Sequence, residues 1–226
     1  DLRHARGRLE KIRAAKAELE AEAKAQKELK EKEHEDPPPG SATPLPSHQI
    51  PRDAEGTPGP KAQRNFTDAE SRIQKANDGF VQGFNCQAGV DGANQIIVAQ
   101  AVTNQPPDVQ HLIPVLEQVI ANCGEAPSKT TADAGYFSEA NVAKAESLGT
   151  DPHVATGRKK HGHMQATLQS QPEGKKDSSP TPKELMSRKL LTKEGAAVYA
   201  QRKAVVEPVF GQIKQARGFR QFLLRG

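Results

Sequence analysis

The stretch Lys129-Thr-Thr-Ala-Asp-Ala-Gly-Tyr-Phe-Ser138-Glu-Ala-Asn-Val-Ala-Lys-Ala-Glu-Ser-Leu-Gly149-Thr-Asp-Pro-His153-Val-Ala-Thr156 decides the fold class. Lys129–Asp133 reads as a short strand that ends in an acid. Ser138 is placed to cap a helix over 139–148, and Gly149 stops it. His153–Thr156 reads as a further strand. Strand, helix and strand at this length form a βαβ unit, so the two strands are expected to run parallel.

On the N-terminal side, Phe84, Cys86, Ala88 and Val90 alternate with small or polar residues, as in a half-buried strand. Asp91-Gly92 signals a turn, and Ile96–Val102 reads as the returning strand of a hairpin. Leu112, Val115, Leu116, Val119 and Ile120 then mark a helical face, closed by Gly124. Pro114 requires that helix either to begin there or to kink. A hairpin joined to a βαβ unit predicts a mixed sheet with helices on its faces. On the C-terminal side, residues 157–182 are rich in Gly, Lys, Ser and Pro and are expected to be mobile. Residues 184–217 read as helical, with an interruption near Glu207-Pro208.

The remainder has another character. Residues 2–35 are dominated by Ala, Glu, Lys, Leu and Arg and predict one long helix without a continuous apolar stripe. Residues 37–60 hold eight Pro and three Gly, the composition expected of an extended, unordered linker. The expected organisation is an exposed helical arm (1–36), a Pro/Gly-rich linker (37–63) and an α/β domain (64–226).

Composition narrows the partners. Hydrophobic residues make up 35% of the 226 and aromatics 4%, thin for a single packed core of this length. Residues 1–150 carry 17 Lys and Arg against 22 Asp and Glu, whereas residues 151–226 carry 15 against 6. A basic C-terminal third points to a polyanion such as nucleic acid, or to a tail that aids solubility. Cys86 and Cys123 form no CxxC motif and the His residues no ligand pattern. No apolar run has the length of a membrane span. Both ends of the chain look cut.

Two acids carry the candidate chemistry. Asp133 would sit where a strand of a parallel pair ends, at the crevice that binds ligands in such sheets. It could equally be a turn residue capping the next helix. Glu207 lies in Tyr199-Ala-Gln-Arg202-Lys-Ala-Val-Val-Glu207-Pro-Val-Phe-Gly-Gln-Ile-Lys214. Val205, Val209 and Ile213 line one stripe of that helix; Lys203, Glu207 and Lys214 fall opposite, with Tyr199 near them. A solvated charged face is the plain reading. A metal ligand beside a phosphate-binding rim is the functional one: carboxylate oxygens suit Mg²⁺, or Mn²⁺, and phosphodiester transfer uses such ions. Arg217, Arg220 and Arg225 with Phe219 and Phe222 either track DNA or form a helix face.

The segment Tyr-x2-Arg-x4-Glu-x6-Lys is similar to the signature around the last acid of bacterial insertion-sequence transposases of the DDE class. Arg202–Arg220 resembles the insertion-sequence 1182-type group in particular. Asp78–Asp91, Gln95–Gln105 and Thr131–Asn141 agree with it in the same order, over roughly residues 64–226. Four residues separate Arg202 from Glu207, where three is the more usual spacing. The resemblance implies a ribonuclease-H-like core, here partial, with Asp133 and Glu207 as its second and third catalytic acids and as ligands of Mg²⁺ or Mn²⁺. It implies that Tyr199, Arg202, Lys203, Lys214, Arg217 and Arg220 contact double-stranded DNA, at transposon ends and target. The implied activity is metal-dependent strand cleavage and strand transfer in a bacterial, nucleoid-associated, cytoplasmic protein, oligomeric when full length. The first acid of this class commonly lies in an Asp-Gly-Thr phrase, which this chain lacks, so the chain alone is expected to be inactive. Asp78 and Asp91 are the substitutes within the chain, and Asp91 reads as a turn residue rather than a ligand. The competing expectation is a non-catalytic remnant that binds DNA weakly through its basic third.

Overall fold

A computed structural model describes residues 2–32, 42–76, 79–157 and 180–219. The chain divides into two compact units. One comprises residues 1–86 and 102–107; the other comprises 87–101 and 108–226. Residues 64–86, which the sequence pattern assigns to the α/β domain, thus fall in the first unit.

The first unit is built on helix α1, Leu2–Lys32. It has no apolar stripe of its own, and polar side chains attach it to its neighbours. Gln26 uses both ends of its amide: Nε2 donates to the His48 carbonyl (3.0 Å), and Oε1 accepts from the Ile50 N–H (2.9 Å) and from Arg52 (3.1 Å). Glu22 binds Arg64 through one oxygen and Arg72 through the other. Ala23 and Ile50 are buried. The Pro-rich segment does not trail from a bare arm, as its composition predicts; His48, Ile50, Arg52, Ala54 and Arg64 are bonded to the helix. Segments poor in ladder donors find their partners in the Gln26 and Glu22 side chains instead. Strands β1 (Arg72–Ala76) and β2 (Gly79–Gly83) form an antiparallel pair beyond the elements expected from the sequence.

Arg72 is buried and fully engaged, donating to Glu22, to the carbonyls of Ala69 and Ser71, and to His48 Nδ1 at 3.2 Å. That last bond needs an unprotonated Nδ1. Burial, and then the Arg72 charge, hold the His48 pKa below its ordinary 6.5, against an opposing pull from Glu22. Because the folded pKa is depressed, the unfolded chain takes up a proton first as pH falls. Stability of this unit should therefore be fullest above the ordinary value and decline as pH drops through it. Denaturant unfolding between about pH 5 and 8 should show this slope, and His48→Asn should flatten it.

Strands β3 (Asn85–Val90) and β4 (Ile97–Thr103), which lie mostly in residues 87–101 of the second unit, pair as the expected hairpin. Asp91 is the turn residue anticipated: its carboxylate accepts from the Asn94 N–H at 2.7 Å, and such backbone bonds lower its pKa. Helix α2, Leu112–Cys123, begins just before Pro114 rather than kinking, and ends at Gly124 in the left-handed conformation (φ 82°). It packs close to the hairpin at Gly89, where a Cβ would come within 2.9 Å of Val119.

Strands β5 (Lys129–Ala132) and β6 (Asp151–Val154) are parallel, joined by helix α3, Glu139–Ser147, with Ser138 accepting from the Asn141 N–H. Leu112, Ala132 and Val154 form one buried cluster; Ile113, Leu116 and Ala145 form another.

The continuous mixed sheet expected from the sequence is not formed among the described residues; they hold three two-stranded sheets. The β4 backbone shows one reason. Its Gln100 N–H donates to Gln118 of α2, and its Val98 carbonyl accepts from Asn122 of α2. Helix side chains, not a further strand, satisfy those groups.

Helix α4, Pro182–Leu191, opens with a capping box between Thr181 and Glu184. The expected mobile insertion near 157–182 lies largely outside the described residues. Helix α5 runs Lys193–Gly211, followed by a π-helical turn, Gln212–Ala216. The interruption therefore falls at Thr192, not at Glu207-Pro208 as anticipated. Pro208 has no N–H for the Ala204 carbonyl, and Gln95 Nε2 of the β3–β4 turn donates to that carbonyl instead, at 2.9 Å. The orphan acceptor is satisfied and the helix continues. Among the described residues no helix is long and apolar enough to cross a membrane.

Candidate functional site

Asp133 follows β5 directly and is exposed. It caps the 3-10 turn Ala134–Tyr136: its Oδ1 accepts from the Gly135 N–H at 2.8 Å. The capping role is real, and it leaves the carboxylate at the strand's carboxyl end, where a ligand-binding acid is expected.

The groups around it carry no signal in the sequence. Asp108 opens a 3-10 turn, Asp108–Gln110, ahead of α2. Its Oδ2 and Asp133 Oδ1 lie 3.0 and 3.1 Å from the point where a Gly135 Cβ would sit. Glycine thus keeps open a small space flanked by two carboxylates. Asp108 Oδ1 accepts from Nε2 of the buried Gln87 at 3.0 Å, and Gln87 Oε1 accepts from the Tyr136 hydroxyl. Asn141 Nδ2 joins the Val109 carbonyl (2.6 Å) to the Tyr136 carbonyl (2.8 Å). Burial first, then the Asp108 and Asp133 charges, push the Tyr136 pKa well above that of a free phenol, with Arg202 acting against them. Tyr136 therefore stays protonated at neutral pH.

Arg202 brings α5 to this cluster. Its charge is felt at the Tyr136 phenol, its guanidinium lies 5.5 Å from the centre of the Tyr199 ring, and its Nε is buried without a hydrogen-bond partner. Glu207 follows five residues later, about 140° further round the helix. It is exposed, and its carboxylate makes no hydrogen bond or ion pair among the described residues. Lys203 and Arg217 are exposed; Lys214 is also exposed and lies 5.4 Å from the Phe210 ring centre. Arg220 lies outside the described residues. Tyr199, Arg202, Lys203, Glu207, Lys214 and Arg217 all sit on α5 or the turns after it.

Two ion pairs hold the helical pair to the parallel strands. Lys189 meets the Asp151 carboxylate and the Pro152 carbonyl, and Lys129 donates to Glu194 at 2.8 Å. Among the described residues no three His, Cys, Asp or Glu side chains gather as a ready-made metal cage. Asp108 and Asp133 do offer hard oxygen donors beside an open space, which fits Mg²⁺ or Mn²⁺ rather than a soft metal.

Comparison with known proteins gives one result. A family model described as "Transposase DDE domain" matches residues 44–226. No curated protein and no solved structure gives a significant match.

Proposed function

This chain belongs to the transposase DDE domain family, and on that premise we propose that it is part of a metal-dependent DNA transposase of the insertion-sequence 1182 type with a partial ribonuclease-H-like core. Membership brings DNA transposition as the process and DNA as the substrate. The observation that carries the finer reading is Asp133, at the carboxyl end of a parallel strand beside Asp108 and within the family-matched span.

Asp133 and Glu207 are the second and third acids of the set, and Asp108 supports Asp133. No residue of this chain is assigned the role of the first acid. Asp133 and Asp108 would hold a divalent cation, with Glu207 contributing from α5. Bound there, Mg²⁺ would lower the pKa of the attacking water or 3′-hydroxyl and neutralise charge on the phosphate. In the transfer, the attacking oxygen bonds to phosphorus, loses its proton and displaces the bridging oxygen. Arg202 places a fixed positive charge near the Tyr136 phenol, where it would offset repulsion of phosphate by the acids. Tyr136, held neutral, orders the turn and does not attack the phosphate. Tyr199, Lys203, Lys214, Arg217 and Arg220 position the duplex through its backbone.

The full chain is expected to bind a random-sequence duplex with an affinity that falls steeply as salt rises, since such contacts release counterions. Lys214→Ala should reduce the slope of log affinity against log salt by about 0.9. Fluorescence anisotropy across a salt series measures both. Binding indifferent to salt, or none at low salt, would remove DNA contact from this reading.

A further inference from the structure

We infer that Gln87 is a positioning residue for Asp133, acting through the Tyr136 hydroxyl. The inference rests on the proposed role of Asp133 and assigns the part of the chain that holds that acid in place.

The orientation of the Gln87 amide follows from its neighbours. The amide NH₂ of Gln87 donates to Asp108 Oδ1, which sets which way the amide points. Its oxygen then faces Tyr136 and can only accept, so the Tyr136 hydroxyl must donate. One buried side chain thereby fixes the direction of every bond in the row. Tyr136 is the last residue of the 3-10 turn that Asp133 caps, so holding its ring holds the turn. The Asn141 amide pins the other side of the same residue through its carbonyl. Gly135 lies between, and its N–H is the donor to Asp133 Oδ1. Strand β3 and the β5 end are thus joined across 49 residues of sequence by one hydrogen-bonded row. Buried rows of this kind act as a unit, and a break in one member leaves the rest unsatisfied.

Position 87 calls for Gln in this row. Glu would set a second carboxylate against Asp108, and Leu would leave the Tyr136 hydroxyl and Asp108 Oδ1 each without this partner.

Nuclear magnetic resonance of the full chain tests it, comparing wild type with Gln87→Leu, Tyr136→Phe and the double variant. In the wild type a through-hydrogen-bond scalar coupling should link the Gly135 amide nitrogen to the Asp133 side-chain carboxyl carbon. Both single variants should uncouple the two, and the double variant should be no worse than either single one. Tyr136→Phe removes a single oxygen and so keeps the test open if Gln87→Leu fails to fold. A parallel Mn²⁺ titration should show affinity reduced about tenfold in each variant, the size expected when an outer partner of a ligand is removed. Coupling and Mn²⁺ affinity unchanged in both variants would overturn the inference and leave the cation reading standing. A wild type that binds no Mn²⁺, yet loses the Gly135 coupling in the variants, would overturn the cation reading and leave Gln87 as the residue that positions Asp133.

Discussion

Gly195→Ala is expected to be among the most destabilising single-methyl changes this chain can take. A Cβ at Gly195 would lie 2.0 Å from the Lys189 carbonyl oxygen, 2.9 Å from its carbon and 3.0 Å from Thr192 Oγ1. Backbone must move to admit it, because the first two neighbours are main chain. That carbonyl is not free to move: it accepts from the Thr192 hydroxyl at 2.7 Å and from the Thr192 N–H at 3.2 Å. The Lys189 side chain is meanwhile bound to Asp151 and to the Pro152 carbonyl. Overpacking of this kind costs about 3 kcal/mol when the neighbours cannot yield. Equilibrium urea unfolding, followed by circular dichroism, should report a loss of that size. The affinity for duplex DNA should fall as well, since Tyr199, Lys203 and Lys214 depend on α5. A variant within about 0.5 kcal/mol of wild type, the range of a neutral surface change, would show that α4 and α5 are not packed this closely.

The packing at Gly195 also shows where local sequence is readable. The break between α4 and α5 depends on Thr192, which ends one helix and caps the next, its hydroxyl accepting from the Gly195 N–H. Pro208 offers a louder local signal for a break, but Gln95, distant in sequence, supplies the donor that keeps the helix going. Local pattern is a good guide where the structure is local. Ser138, Gly149 and the short strands beside them specify the βαβ unit almost alone, and Asp91 with Asn94 specifies the hairpin turn. It fails where a side chain from another element completes a backbone. Gln118 and Asn122 occupy β4 groups that a continuous sheet would have used. Gln26 and Glu22 gather a Pro-rich segment that composition marks as free.

The site divides in the same way. Asp133 is legible because an acid at the end of a strand, followed by Ala-Gly, is a local pattern. Asp108 and Gln87 carry no such signal, because they meet the Asp133 turn only through the fold, at separations of 21 residues from each other and 49 from Gln87 to Tyr136. Arg202 is expected at the DNA, and its buried Nε beside Tyr199 instead places part of it against the protein. The signature spacing cannot show that turn of the helix.

The central claim is that Asp133 holds a divalent cation together with Glu207. The structure sets Asp133 beside Asp108 and leaves Glu207 exposed on α5, so the two acids are proposed to hold unequal shares. Removing a direct oxygen ligand should weaken binding more than removing an outer partner, which costs about 10–100-fold. The most direct measurement is a Mn²⁺ titration of the full chain, with free Mn²⁺ followed by electron paramagnetic resonance. The wild type should show saturable binding, Asp133→Asn should lose at least about 100-fold in affinity, and Glu207→Gln should weaken binding at the same site. Binding by Asp133→Asn indistinguishable from wild type, or no saturable binding by the wild type, would contradict the claim.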